Sequence, residues 1–537
     1  MNASAEPLLL PRPRQITVAG GPVSVTPVAP TIDPHCGLPP QGYRLRIEPA
    51  KISLIAPDAA GAFYGQMTLR QLQRQAGLTL PACEIEDWPD FPSRGVMLDI
   101  SRDKVPSMAT LFALVDQLAE WKINHLELYT EHTFAYRNHR QVWEHASPLT
   151  AEEIRSLDAY CRERFVELVP NQNSFGHMER WLKHPAYQAL ASGEHRTCLN
   201  PQNPASVALL AELFAELLPN FTSRKFNVGC DETYGIGGRV YLEFLLKIYE
   251  LTKRHGRTMH FWGDIIVHHP ELVPELPQDI VVLEWGYDIG HPFDEHGALF
   301  AKTGIPFYVC PGTSSWNSIV GRTHNALGNL TSAAVNGLKH GAIGFLSTDW
   351  GDHGHWQPLP VSYLGFAAGA ALSWCATRNQ DLDYRAALSA HVFQDAAGVL
   401  GPVAYDLGNA YLQADCPLGN ANVFFQLLQQ PLTADLFSKV APAKMQATRE
   451  YIAAVMQPLD RARSARPDAA LLQAEFRLAA WMADHACRRA LKENPATLAA
   501  DLREIIAEYQ RVWLARNRPG GLPDSVRRLE NRLEDYR

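Results

Sequence analysis

The chain has 537 residues, 46% hydrophobic and 20% charged, an ordinary globular composition that excludes a disordered chain and, at about 150 residues per domain, predicts three to four units. Lysine and arginine total 49 against 57 aspartates and glutamates, and the formal charge of −8 leaves no basic footprint for nucleic acid. Nine cysteines, an odd number without a CxxC pair, argue against a disulfide scaffold or a zinc ribbon.

The N-terminus, MNASAEPLLLPRPRQ, carries three leucines between prolines, too short a run for a secretory leader. No stretch approaches the roughly 20 apolar residues of a membrane helix. The chain reads as cytoplasmic, with no membrane partner. Up to about residue 90, short alternating runs (Val23-Ser24-Val25, Tyr43–Ile47) and the run Ile52–Ile55 predict strands, and Gln66–Gln75 an amphipathic helix. Residues 1–90 are therefore expected to form a small α+β domain.

From Arg94 the rhythm changes. Apolar runs at 95–100, 123–129, 165–169, 225–229, 258–262, 280–285, 305–310 and 342–347 alternate with helical patterns. The helices are expected at 107–122, 150–164, 204–218, 238–255, 269–276, 294–302, 324–340 and 361–375. Ser107 after Pro106 is a helix N-cap, and Thr150-Ala151-Glu152-Glu153 is a capping box. Eight such units over about 280 residues predict an α/β fold, a (β/α)8 TIM barrel over 91–376 with its site at the C-terminal strand ends. A doubly wound sheet is the competing arrangement, but no GxGxxG marks the first turn. Beyond residue 377 the β rhythm stops, and 377–537 reads as a helical C-terminal region.

The strand ends hold the candidate chemistry. The fourth run ends in Asn227-Val228-Gly229-Cys230-Asp231-Glu232. Neighbouring strand residues face opposite ways, so Asp231 and Glu232 can serve one site only where the strand has ended and the backbone turns. A carboxylate pair suits glycoside chemistry, with one proton donor and one anion; a solvated pair or a helix N-terminal pair is the plainer reading. Trp262-Gly263-Asp264, Trp285 and Trp350-Gly351-Asp352 sit at three other strand ends, as a wall for a sugar face or as core tryptophans. His177, after Gly176, is placed to orient a carboxylate or to serve as a structural histidine. His268-His269 and His353-Gly354-His355 raise a metal-dependent barrel hydrolase as an alternative, without an HExxH to support it. A non-catalytic carbohydrate-binding protein would use the tryptophans but not Asp231-Glu232.

These residues resemble glycoside hydrolase family 20, the β-N-acetylhexosaminidases. Asn227–Glu232 is similar to its HxGGDE segment, with Asn for His and Cys for the second Gly, and Arg94–Arg102 is similar to its first barrel strand. Gly61–Gln73 and Glu84–Pro92 resemble the end of its N-terminal domain. Within the family, Gly229–Glu232, Ser174–Glu179, Leu182–His184, Glu131–Tyr136 and Leu199–Pro201 resemble the hexosaminidase D type. The resemblance spans about residues 40–375. It implies a retaining, substrate-assisted exo-hydrolase of terminal β-GlcNAc or β-GalNAc, acting on an amino-sugar glycoside or oligosaccharide without cofactor or catalytic metal; a homodimer is compatible with it.

Carried over residue by residue, Glu232 is the acid/base, with a raised pKa expected, and Asp231 orients the acetamido group. Trp262, Trp285 and Trp350 enclose that group, Tyr308 bonds its carbonyl, and Arg94, Asp264 and Asp352 complete the sugar site. His177 and Glu131 stand behind Glu232. Two departures stand out. Tyr308-Val309-Cys310 lacks an aspartate that relatives carry, and Glu131 is only the nearest match to a paired aspartate on strand two.

Overall fold

Alternation in the first ninety residues becomes a five-stranded sheet with strands β1 (Gln15–Ser24), β2 (Thr31–Ile32), β3 (Tyr43–Glu48), β4 (Lys51–Ala56) and β5 (Thr79–Asp87), in the order β1-β5-β3-β4-β2. The computed structural model describes residues 6–24, 27–49, 51–77 and 79–537; residues 1–5 of the leader reading and Val25 of the first expected run lie outside these. The sheet is covered by a helix, Ala59–Ala76, that starts earlier than its apolar spacing predicts. Asp58 caps it by accepting from the Gly61 amide at 2.8 Å. The helix also lies close to its neighbours: a Cβ on Gly61 would stand 2.0 Å from the Gly42 carbonyl oxygen, and one on Gly65 2.4 Å from Leu54.

The eight later runs form parallel strands: β6 (Ser93–Asp99), β7 (His125–Tyr129), β8 (Glu167–Val169), β11 (Lys225–Asn227), β12 (Thr258–Trp262), β13 (Val281–Trp285), β14 (Phe307–Cys310) and β15 (Gly344–Asp349). A two-stranded ribbon, β9 (Ala191–Ser192) with β10 (Cys198–Leu199), interrupts the series. The sheet runs β11 to β15, then β6 to β8. It closes where Asn171 bridges Asn227, with the Gln172 amide donating to the Asn227 carbonyl and the Asn227 amide to that of Pro170, both at 3.0 Å. This is the expected barrel. Its period-two side chains divide cleanly: Met97, Tyr129, Trp262, Leu283 and Tyr308 cluster inside, while Val96, Leu126, Phe261, Val282 and Val309 pack outward on helices.

The helices also follow expectation. Ser107 caps Met108–Glu120, and the Thr150–Glu153 capping box opens Ala151–Arg162. The exception follows β12. Instead of one helix over 269–276, a short helix Asp264–His268 is followed by a 3₁₀ segment, Pro270–Glu275. Pro270 and Pro274 lack the amides an α-helix would use there.

The N-terminal sheet meets the barrel at buried Asp87, which accepts from Tyr43 Oη, Lys122 Nζ and Trp374 Nε1 at 2.7, 3.0 and 2.8 Å. The C-terminal helices Ala469–Ala490, Pro495–Arg516 and Leu522–Glu530 pack on one another, and the second ends against the start of the first barrel helix. The Arg516 carbonyl accepts from the Ser107 amide and the Thr110 hydroxyl. Its guanidinium forks onto Glu475 at 2.6 and 2.7 Å. Among the described residues no helix is long and apolar enough to cross a membrane.

Glu475 is 2% exposed. Removing its partner with Arg516→Ala should therefore cost about 3–5 kcal/mol, whereas Glu475→Leu with Arg516→Met should cost far less. Urea unfolding followed by tryptophan fluorescence checks this. Equal loss in both variants would show that the pair matters only through packing.

Candidate active site

The chain leaves β11 through an unusual turn. Gly229, Cys230 and Glu232 have φ of 71°, 72° and 48°, so the backbone is left-handed at three of four successive residues. Gly229 is obligatory, because a Cβ there would lie 1.5 Å from Asn173 Oδ1. The turn is held by Asn227 Oδ1, which accepts from the Gly229 amide at 3.0 Å, and by Asp264 Oδ2, which accepts from the Glu232 amide at 3.0 Å. It brings both carboxylates to one imidazole. His177 Nε2 lies 3.2 Å from Asp231 Oδ2 and 3.3 Å from Glu232 Oε2.

Depth separates the two acids. The Asp231 side chain is 7% exposed and that of Glu232 36%. Burial works against a charged His177, but the Asp231 charge and the bonds to both carboxylates outweigh it and raise its pKa well above the ordinary imidazole value. The bond from His177 holds Glu232 below the usual carboxylate value, against the opposing effect of burial. This reverses the expected upward shift, because the cationic ring shared with Asp231 outweighs the anionic neighbour. Burial, then the Asp231 charge, push Asp264 up to about 7.

A second charged group comes from the ends of β6 and β7. Asp99 Oδ1 accepts from the Ser101 and Arg102 amides at 2.8 and 3.0 Å, and Asp99 Oδ2 accepts from Arg102 Nη1 and the Gly351 amide at 3.1 and 2.9 Å. Arg102 is thereby fixed between Glu131 (3.3 Å) and Asp352 (3.8 Å), over the rings of Tyr129 and Trp350. Glu131 also accepts from Tyr129 Oη at 2.9 Å, and burial, opposed by Arg102 and His177, pushes it up to about 7.

Aromatic rings form the wall. Trp262 and Trp350 are 5.9 Å apart, Tyr129 stands edge-on to Trp350 at 4.7 Å, and Trp285 stacks on Tyr287 at 5.1 Å. The indole N–H groups of Trp262, Trp285 and Trp350, like Asp231 Oδ1, are buried without a partner in the chain. Buried polar atoms are rarely left unpaired, and here they gather around the carboxylate pair, as donors and an acceptor suited to a polar ligand.

Asp231, Glu232, His177, Glu131, Asp264, Trp262, Trp285, Trp350 and Asp352 thus come together. Two expected residues do not. Arg94 begins β6 rather than ending it, at the opposite mouth of the barrel. It is fully buried there, donating to the Lys122 and Phe91 carbonyls and stacking on Tyr64 and Trp374. Tyr308 is an inner residue low in the barrel, against the rings of His125 and His260 and over Gly344. Cys310 is wholly buried among the inner barrel side chains, clustered with Trp262 and Trp350. Arg102 and Tyr287, both beyond strand ends, pack instead against the Trp350 ring of this cluster. Arg102 stood at a strand end in the quoted motif, and Tyr287 two residues beyond Trp285. Neither His268-His269 nor His353/His355 belongs to a metal-ligand grouping among the described residues; Glu284, His291 and His296 do.

Residues 24–88 match "Glycosyl hydrolase family 20, domain 2", and residues 91–235 match the catalytic domain of the same family. Both matches are to glycoside hydrolase family 20. Similar proteins include a β-hexosaminidase of Akkermansia muciniphila, 27% identical over 42% of this chain and 57% of the relative. A lacto-N-biosidase of Bifidobacterium bifidum is 25% identical over 46% of this chain and 24% of its own length. The chain thus spans less than two thirds of these relatives. Among solved structures, a family 20 exo-β-N-acetylglucosaminidase of Vibrio harveyi superposes with TM-score 0.59 at 17% identity, covering 72% of this chain and 76% of that one. A Flavobacterium johnsoniae chitobiase gives 0.59 at 18%, covering 97% and 98%. At such identities the structures speak for the fold, which in the second case includes the C-terminal helices.

The two arginines should behave differently. Arg102→Lys loses the fork that holds Asp99 and Glu131, and kcat/KM on an aryl β-N-acetylglucosaminide should fall about 10–100-fold, in line with charged hydrogen bonds of about 1.5–3 kcal/mol. Arg94→Lys should lower thermal stability and leave kcat/KM of the folded protein nearly unchanged. The opposite pattern would restore Arg94 to the site.

Proposed function

We propose that this protein is a glycoside hydrolase of family 20, an exo-acting β-N-acetylhexosaminidase that hydrolyses terminal β-GlcNAc and β-GalNAc with retention. The observation that carries this reading is the single imidazole bridging a deep and a shallow carboxylate beside a tryptophan wall with unpaired N–H groups. A carbohydrate-binding module has no use for that proton-sharing trio.

In this reading Asp231 holds the substrate's own 2-acetamido group so that its carbonyl oxygen attacks C1. The anion also stabilises the cationic oxazolinium that forms. The nucleophile arrives already positioned, which supplies a high effective molarity. Glu232, nearer the mouth, protonates the departing glycosidic oxygen and then takes a proton from water. Trp262, Trp285 and Trp350 enclose the acetamido group. Arg102 and Asp352 form the charged side of the sugar site; both are partly exposed and able to adapt to either C4 epimer.

Glu232→Gln and Asp231→Asn should fail differently. The first removes the proton donor, so its defect, about 10²–10⁴-fold on poor leaving groups, should shrink on activated aryl glycosides. The second spoils orientation and charge stabilisation, and its defect should persist with every leaving group. Brønsted plots for both variants decide this. Equal leaving-group sensitivity would end the division of roles.

The pH profile tests the bridge. One proton is shared by His177 and Glu232, resting on the ring in the free enzyme and moving to Glu232 for catalysis. Both placements carry the same total protonation, so the alkaline limb of kcat/KM reports loss of the proton from the pair, at the raised imidazole pKa. His177→Gln removes that store. Glu232 must then keep the proton alone, and the alkaline limb should move to lower pH. An unmoved limb would show that the ring does not share the catalytic proton.

A further inference from the structure

Outside the carboxylate pair, one cluster has the chemistry of a metal site. Glu284 lies on β13 with its side chain turned away from the barrel axis, buried beneath the helix Phe293–Thr303. His291, from the following loop, and His296, from that helix, approach it with Nε2 and Nδ1 at 2.7 and 2.5 Å. Both ring nitrogens converge on the same oxygen, Oε1. The other oxygen, Oε2, is buried with no partner in the chain. Hydrogen bonding alone leaves half of this buried carboxylate unused, with both donors on one oxygen and none on the other.

The ligating atoms of all three residues lie within 4.8 Å of one another. Bonds of about 2.0–2.2 Å hold tetrahedral ligand atoms about 3.4 Å apart, so a cation among them requires side-chain movements of about an ångström. Two imidazoles and a carboxylate are the donor set that borderline-soft zinc prefers over magnesium or calcium. The three residues also line one side of a cavity of about 580 Å³, shared with Asp264, Trp285 and Tyr287, which leaves room for water at a fourth position. His291 is seated closely: a Cβ on Gly286 would lie 2.0 Å from its Nδ1, so the loop is shaped around the ring.

We propose that Glu284, His291 and His296 bind one zinc ion, which ties β13, its loop and the next helix together and thereby fixes the Trp285–Tyr287 stack. The ion lies behind the sugar wall and takes no part in bond cleavage. The proposal does not depend on the hydrolase reading.

The test uses the full-length, tag-free protein, stripped with a chelator and reloaded with zinc sulfate. After gel filtration, elemental analysis should find about one zinc per chain, and thermal unfolding should move up by a few degrees. Cobalt should give a visible absorption band. His291→Ala and His296→Ala should each weaken zinc binding by at least about 100-fold, since loss of a mere supporting contact already costs 10–100-fold. Should a variant fail to fold, the wild-type protein still decides: zinc should protect His291 and His296 from diethyl pyrocarbonate, read by peptide mass spectrometry. Substoichiometric zinc in the wild-type protein, undiminished binding in both variants, or absence of protection would each overturn the site.

Discussion

Everything at the barrel mouth depends on a turn that only a few residues can make. Two adjacent carboxylates in a strand would point to opposite sides of the sheet. Here the strand stops at Asn227, and the left-handed conformations at Gly229, Cys230 and Glu232 redirect the backbone so that both acids reach His177. Left-handed backbone at non-glycine residues is held only where the surroundings over-determine it. The holding groups are identifiable. Asn227 and Asp264 bind the turn's amides, and Gly176 lets the neighbouring loop pass so close that a Cβ there would stand 2.2 Å from the Asp231 carbonyl oxygen.

From this turn the charges arrange themselves by depth. His177 joins the two acids, Arg102 Nη2 lies 3.4 Å from its other nitrogen, and Arg102 in turn meets Asp99, Glu131 and Asp352. Each member is stabilised by a neighbour of opposite sign, as low-dielectric sites require. The chain therefore places several ionisable groups where substrate is expected without leaving a bare buried charge. Asp99 also joins the ends of β6 and β15 through the Gly351 amide, so the seam of the barrel and the guanidinium are fixed by one side chain.

Much of this was legible in the residue pattern, and the failures have physical causes. Eight strands appeared where apolar runs alternated with helical spacing, because that alternation is what a two-faced barrel strand and its covering helix require. The helix after β12 was misplaced, since apolar spacing ignores the amides missing at Pro270 and Pro274. Asp231, Glu232 and His177 are legible because each follows the end of a strand. The same criterion, applied without exception, points to Arg102 and Tyr287, which follow strands, where Arg94 and Tyr308 lie within them. The direction of the Glu232 shift was not readable, because it depends on a ring 55 positions away in the chain. The Glu284 grouping was hidden for another reason: strand parity turns Glu284 outward, away from the site its neighbour Trp285 serves.

The C-terminal helices follow the same logic at longer range. The loop after β15 carries both Trp350 and Asp352, and a loop is the part of a barrel least able to hold two such groups in place unaided. Gln357 donates to the Trp350 carbonyl, and Lys104 donates to the Gln357 carbonyl. The Ser525 hydroxyl donates to the Gly354 carbonyl at 2.5 Å. Ser525 belongs to the last helix, which also meets the loop bearing His177 through Asp524 and Arg180. A region remote in sequence from the carboxylate pair thus contacts two loops of the barrel mouth, those after β15 and β8. Its helical pattern was evident from the residues alone, but its contribution becomes visible only once its contacts with these loops are known.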